Sequence, residues 1–171
     1  MRAALALTLL LATPAFGWNE PTDIQGLPWG ATQAELQTKA QDTRDPVRCD
    51  SPEFCKTRNV NFGPVRVSIS YFFLKDGKFE MAVLSFKPSD YDQVLTVFRE
   101  RYGQPVLTRE ERMRVPNSCA TATNHIVHWS GDRVVIDLQQ YQSPTEGRAT
   151  IMLKAVQERE AAGTGTEKEK G

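Results

Sequence analysis

Residues 65–86, VRVSISYFFLKDGKFEMAVLSF, constrain the fold more than any other part of the chain. β-Branched and aromatic residues alternate on both sides of Asp76-Gly77. That dipeptide suits a two-residue hairpin turn, because both central positions need positive φ. Strands over 65–74 and 78–86 follow. With Asp76-Gly77 as the turn, Lys75 opposes Lys78, Leu74 opposes Phe79, and the register is fixed down the ladder. One face then carries Val67, Ile69, Tyr71, Phe73, Ala82, Leu84 and Phe86. The other carries Phe72, Leu74, Phe79, Met81 and Val83 near the tip, giving way to Ser68 and Ser70. A half-buried hairpin is polar on its outer face; this one is apolar on both. Either the chain covers the second face, with the loop between Cys49 and Cys55 or with its tail, or that face meets a partner.

Upstream, GLPWGATQAEL prepares a helix. Thr32-Gln33-Ala34-Glu35 fits a capping box, and Pro28 forbids helix before it. The helix runs to about residue 41. Trp29 either covers the end of the core or offers a ring to a ligand. Residues 42–64, rich in Asp, Arg, Pro and Cys, read as a long loop or irregular strand. After the hairpin, Ser89 is the expected cap of a second helix whose apolar stripe is Tyr91, Val94, Leu95 and Phe98. Gly103 and Pro105 stop it.

LTREERMRV, from residue 107, is charged enough to be a protected edge strand. Residues 124–130 and 133–140 form a second hairpin around Gly131-Asp132, with Val127, Trp129, Val134, Ile136 and Leu138 inward. Residues 149–156 make a last strand, and 157–171 form a charged, disordered tail. The fold class is α+β, a two-layer sandwich with an antiparallel sheet and two helices on one face. Two capped helices, each followed by a hairpin, suggest an internal duplication.

Residues 1–17 have the form of a cleavable signal peptide: Arg2, an apolar run over 3–12 and Ala15-Phe16-Gly17 as the processing site. Cleavage is expected after Gly17, leaving one domain over 18–156 followed by the tail. No Cys follows the run to take a lipid, and no later stretch is apolar enough to span a membrane. The expected compartment is the periplasm or the exterior. There, Cys49, Cys55 and Cys119 should give one disulfide and one spare thiol. Cys49–Cys55 is favoured by its short separation, and a bridge from either to Cys119 is the alternative.

With Arg2 removed, 20 basic residues face 21 acidic ones, a net charge of −1. That balance speaks against nucleic acid and anionic membrane surfaces as partners. His125 and His128 in NHIVHW have the residue types of a metal site. On a strand, however, a spacing of three sends them to opposite faces, so no metal is expected. Cys119 with His125 lacks a third group to orient a nucleophilic pair. No phosphate loop, paired Cys-x-x-Cys or serine elbow is present. No catalytic residue and no cofactor is assigned.

The GLPWGATQAEL entry, the strand pair turning at KDGKFEMAVLSF and the helix end VFRERYGQP resemble small exported domains of Gram-negative bacteria, most without an assigned activity. The resemblance covers roughly residues 24–141 and implies an envelope compartment and an α+β fold. The helix entry is also similar to that of small α+β outer-membrane assembly lipoproteins. The expected function is a non-enzymatic binding module for an envelope protein or an apolar ligand. Its expected site is Trp29, Phe72, Leu74, Phe79 and Met81. A small periplasmic hydrolase with an unrecognised pocket is the alternative.

Overall fold

The computed structural model describes residues 18–40, 46–114 and 121–167. The expected signal segment, Cys119 and residues 168–171 lie outside the described residues. The chain is mixed α+β. A short hairpin, β1 (Asp23–Ile24) and β2 (Leu27–Pro28), leads into α1 (Gln33–Ala40). A meander follows: β3 (Arg48–Ser51), β4 (Phe54–Phe62), β5 (Val65–Phe73) and β6 (Phe79–Phe86). After α2 (Tyr91–Tyr102) comes a second meander: β7 (Leu107–Arg114), β8 (Thr121–Ser130), β9 (Val134–Ser143) and β10 (Glu146–Leu153). Helix α3 (Lys154–Glu167) ends the described chain. The two meanders share one antiparallel eight-stranded sheet in the order β3-β4-β5-β6-β10-β9-β8-β7, so β6 and β10 join them at the centre.

Several elements form for the reasons the sequence supplies. At α1 the Thr32 amide donates to Glu35 Oε2 at 2.7 Å, while the Glu35 amide donates to Thr32 Oγ1 at 3.4 Å. The bonds that the Glu35 carboxylate accepts from the Thr32 amide and, at 2.8 Å, from the Thr32 hydroxyl hold it below its usual pKa. α2 stops at Gly103, which has φ 85° and donates to the Arg99 carbonyl at 2.9 Å. β7 is an edge strand, as its charge pattern implies.

One face of the sheet carries Val67, Ile69, Tyr71, Phe73, Ala82, Leu84, Phe86, Val127, Trp129, Val134, Ile136 and Leu138, all buried as expected. These residues share one cluster with Leu36 of α1 and with Tyr91, Val94, Val97, Phe98 and Tyr102 of α2. Phe98 is its hub, with ring centroids 5.2 Å from Phe62, 5.5 Å from Tyr102 and 5.6 Å from Trp129.

Four expectations need correction. Of the two readings of residues 42–64, long loop or irregular strand, the loop is the one overturned: β3 and β4 form a hairpin there. A bulge between Thr57 and Val60 breaks the alternation that would have shown β4 in the sequence. Ser89 does not cap α2; the helix is entered through a 3-10 turn over Pro88–Asp90, without a side-chain cap. The last strand ends at Leu153, and residues 154–167 continue as helix rather than as a disordered tail. Ala, Gln, Glu and Arg there are good helix formers, and Val156 (2 % exposed) buries one turn. The fourth correction concerns Phe79.

The body of the β5–β6 register follows from the turn as expected: Ser68 opposes Ser85, and Phe72 opposes Met81. Asp76 and Gly77 both have positive φ, 54° and 66°. Between turn and body, however, Glu80 is an extra residue, so Phe73 pairs with Phe79. The skip moves Phe79 to the core face, where it is fully buried. Burying a phenyl side chain is worth about 1.5–3 kcal/mol, which offsets a local break in the ladder. Glu80 repairs part of that break by accepting the Lys75 amide at 3.1 Å.

Candidate functional site

The face of the sheet turned away from the main cluster is apolar at one end. Cross-strand pairing aligns Phe54, Phe72, Met81, Met152 and Val135 in one row across β4, β5, β6, β10 and β9. Directly opposed residues share a face, so the row is continuous. Phe54 meets Phe72 edge-on, with centroids 5.3 Å apart. Next to this row run Ser70, Val83, Thr150, Asp137 and His128, and beyond them Ser68, Ser85, Arg148 and Gln139.

Of the five expected site residues, this row contains Phe72 and Met81, both half-buried. Leu74 lies just past the end of β5 and is also half-buried. Phe79 is not on this face: its ring stacks against Trp29 on the core side, with centroids 4.9 Å apart and planes 10° from parallel. Trp29 is held there by its Nε1, which donates to the Pro21 carbonyl at 2.7 Å. The Gly30 amide and Ala31 carbonyl bond the backbone of Phe79 on either side, at 2.9 and 2.8 Å. The opening motif is therefore a helix entrance whose Trp seals Phe79 into the core.

Of the two covers considered for the second face, the Cys49–Cys55 hairpin extends the sheet edgewise instead of lying over it, and α3 reaches Glu80 next to Met81. The β3–β4 hairpin brings Phe54, and Cys49 and Cys55, opposite each other in that hairpin, are joined by a disulfide. Helix α3 brings Val156, and its Arg159 ion-pairs with Glu80 beside Met81. Sequence reasoning missed Phe54, Met152 and Val135. Phe54 fell in a segment read as a long loop or irregular strand, with no register to place it, and the other two join only when β10 and β9 are placed beside β6.

The histidines separate as alternation requires. His128 Nδ1 lies 2.9 Å from Asp137 Oδ1 on the outward face, whereas His125 Nδ1 lies 3.3 Å from Glu110 Oε1 on the other. His125 also stacks on Tyr91, with centroids 6.1 Å apart. The Tyr91 hydroxyl is buried without a hydrogen-bond partner among the described residues, and burial pushes its pKa up to about 12. Among the described residues no cluster of three His, Cys, Asp or Glu side chains is arranged to hold a metal ion.

No family model, curated protein or solved structure matches this chain. Fold and chemistry thus rest on the residues themselves. Among the described residues no helix is long and apolar enough to cross a membrane. The Cys49–Cys55 disulfide is compatible with an oxidising, extracytoplasmic compartment.

Proposed function

We propose that this chain is an exported, periplasmic or secreted binding module of the small envelope-domain type, without catalytic activity of its own. In this reading the fold is a two-layer sandwich with α1 and α2 on the core face, and the part of the other face that α3 does not occupy is left to a partner. The partner is a second envelope protein that docks across the β4–β5–β6 end of the outward face. One observation carries the reading: Phe54, Phe72 and Met81 are half-buried neighbours in a continuous cross-strand row, with Leu74 at its rim. An apolar strip bordered by Ser and Thr rows has the make-up of an interface core with a polar rim.

The test compares two variants. Phe72→Asp with Met81→Asp should preserve the fold by circular dichroism and retain the disulfide, because both side chains face outward. Phe79→Asp should unfold the protein. Photo-crosslinking from position 72 in the native envelope should yield one defined adduct, absent in the double variant. The reading is abandoned if the double variant unfolds as Phe79→Asp does, or if position 72 crosslinks to nothing but its own chain.

A further inference from the structure

A cavity of about 350 Å³ lies on the other side of the sheet from the outward row, between α1, the β1–β2 turn and the bulged part of β4. This volume falls in the range of small-molecule sites. Its apolar lining includes Leu27, Leu36, Val60 and Tyr71. Its cationic lining is Lys39 and Arg58, and the described lining residues include no carboxylate. Lys39 Nζ donates to the Gly26 carbonyl. Arg58, exposed on the bulge, has no ion-pair or hydrogen-bond partner among the described residues.

The backbone is unusual at the same place. Three described non-glycine residues have positive φ, and two of them, Gln25 (52°) and Asn59 (56°), line this cavity. Asn59 sits in the β4 bulge beside Arg58. Bulges re-aim side chains, and strained backbone concentrates at binding sites. An apolar pocket edged by positive charge selects a ligand with an apolar body and an anionic end.

We infer that this cavity binds a single-chain amphipathic carboxylate, with its tail against Leu36, Val60 and Tyr71 and its carboxylate at Arg58 and Lys39. The site shares no residue with the outward row, so it stands or falls separately from protein docking. A guanidinium–carboxylate contact is charge-assisted and directional, and a volume of about 350 Å³ suits a medium chain rather than a long one.

Calorimetric titration of the full chain with decanoate, decan-1-ol and decylammonium, each below its micelle concentration, tests the proposal. Decanoate should bind saturably, decanol about tenfold more weakly, and decylammonium not at all. Arg58→Gln should weaken decanoate about tenfold and leave decanol unchanged, since only the anionic end is affected. Val60→Trp should abolish both by filling the cavity. Absence of saturable decanoate binding would overturn the inference, as would equal affinity for decylammonium or an Arg58→Gln variant that binds decanoate as well as the parent. Binding to phosphatidylglycerol vesicles in place of decanoate would also overturn it, by identifying a lipid surface as the ligand.

Discussion

Single residues decide geometry here when two elements approach closely. Gly63 forms the β4–β5 turn with φ 61°, and a Cβ there would stand 2.5 Å from Val97 Cγ2 of α2. Val97 is 6 % exposed and cannot swing into solvent. Gly63→Ala therefore adds steric overlap to backbone strain and should cost about 2–4 kcal/mol in urea unfolding. In a Val97→Ala background only the strain remains, so the same change should cost about 1 kcal/mol. Equal costs in both backgrounds would show that the turn, not the helix, sets the penalty. Glu80 acts in a comparable way: one skipped residue decides which face receives Phe79, and its carboxylate then serves the freed Lys75 amide.

At the scale of elements, α3 and the disulfide hairpin are both small, and the disulfide lies on the α1 side of the sheet, where Gln33 and Gln37 donate to its sulfurs. Among its described residues α3 buries Val156 deeply and ion-pairs through Arg159 with Glu80. Glu80 is nearly buried, with 11 % of its side chain exposed, so removing its partner leaves a carboxylate with little water around it. Arg159→Ala should release α3 without unfolding the sheet. Amide exchange over residues 155–162 should then rise at least tenfold while β5 and β6 stay protected. Unchanged exchange would mean that Val156 and the other contacts of α3 dock the helix without this ion pair. The disulfide joins residues six apart, and a loop so short contributes about 2 kcal/mol.

The whole molecule has one core cluster, and its buried phenols make it sensitive to alkali. Burial raises the Tyr71 and Tyr91 hydroxyls to about 12 and raises Tyr102 as well. In the unfolded chain these groups ionise near 10. The folded state therefore binds more protons in that range. The stability this gives is complete below about pH 10 and is lost as pH rises towards about 12. Phenolate absorbance and circular dichroism should change together in an alkaline titration. A phenolate signal that fully develops near pH 10 with the fold intact would show that these hydroxyls reach water. The fold has an internal repeat: α1 and α2 are each followed by a four-stranded meander, and β6 meets β10 where the meanders join.

The capping box at Thr32 and Glu35, the α2 stripe ending at Gly103, the Asp76-Gly77 turn and the inward rows of both central hairpins were all legible in the sequence. They depend on neighbours within a few residues or on a strict period, and local sterics and hydrogen bonding fix such features. Tertiary structure alone decided which face received Phe79 and that the segment before Val65 pairs as β3 and β4, and it docked the helix-forming residues after Leu153 through Val156 and Arg159. It also aligned Phe54, Phe72 and Met81 with Met152 and Val135. These outcomes turn on the burial of one ring, one bulge or one ion pair, and on strands about 60–70 residues apart, β6 and β10, becoming neighbours. Such terms exist only once the sheet is assembled, because the free energy lies in contacts that no local window of sequence contains.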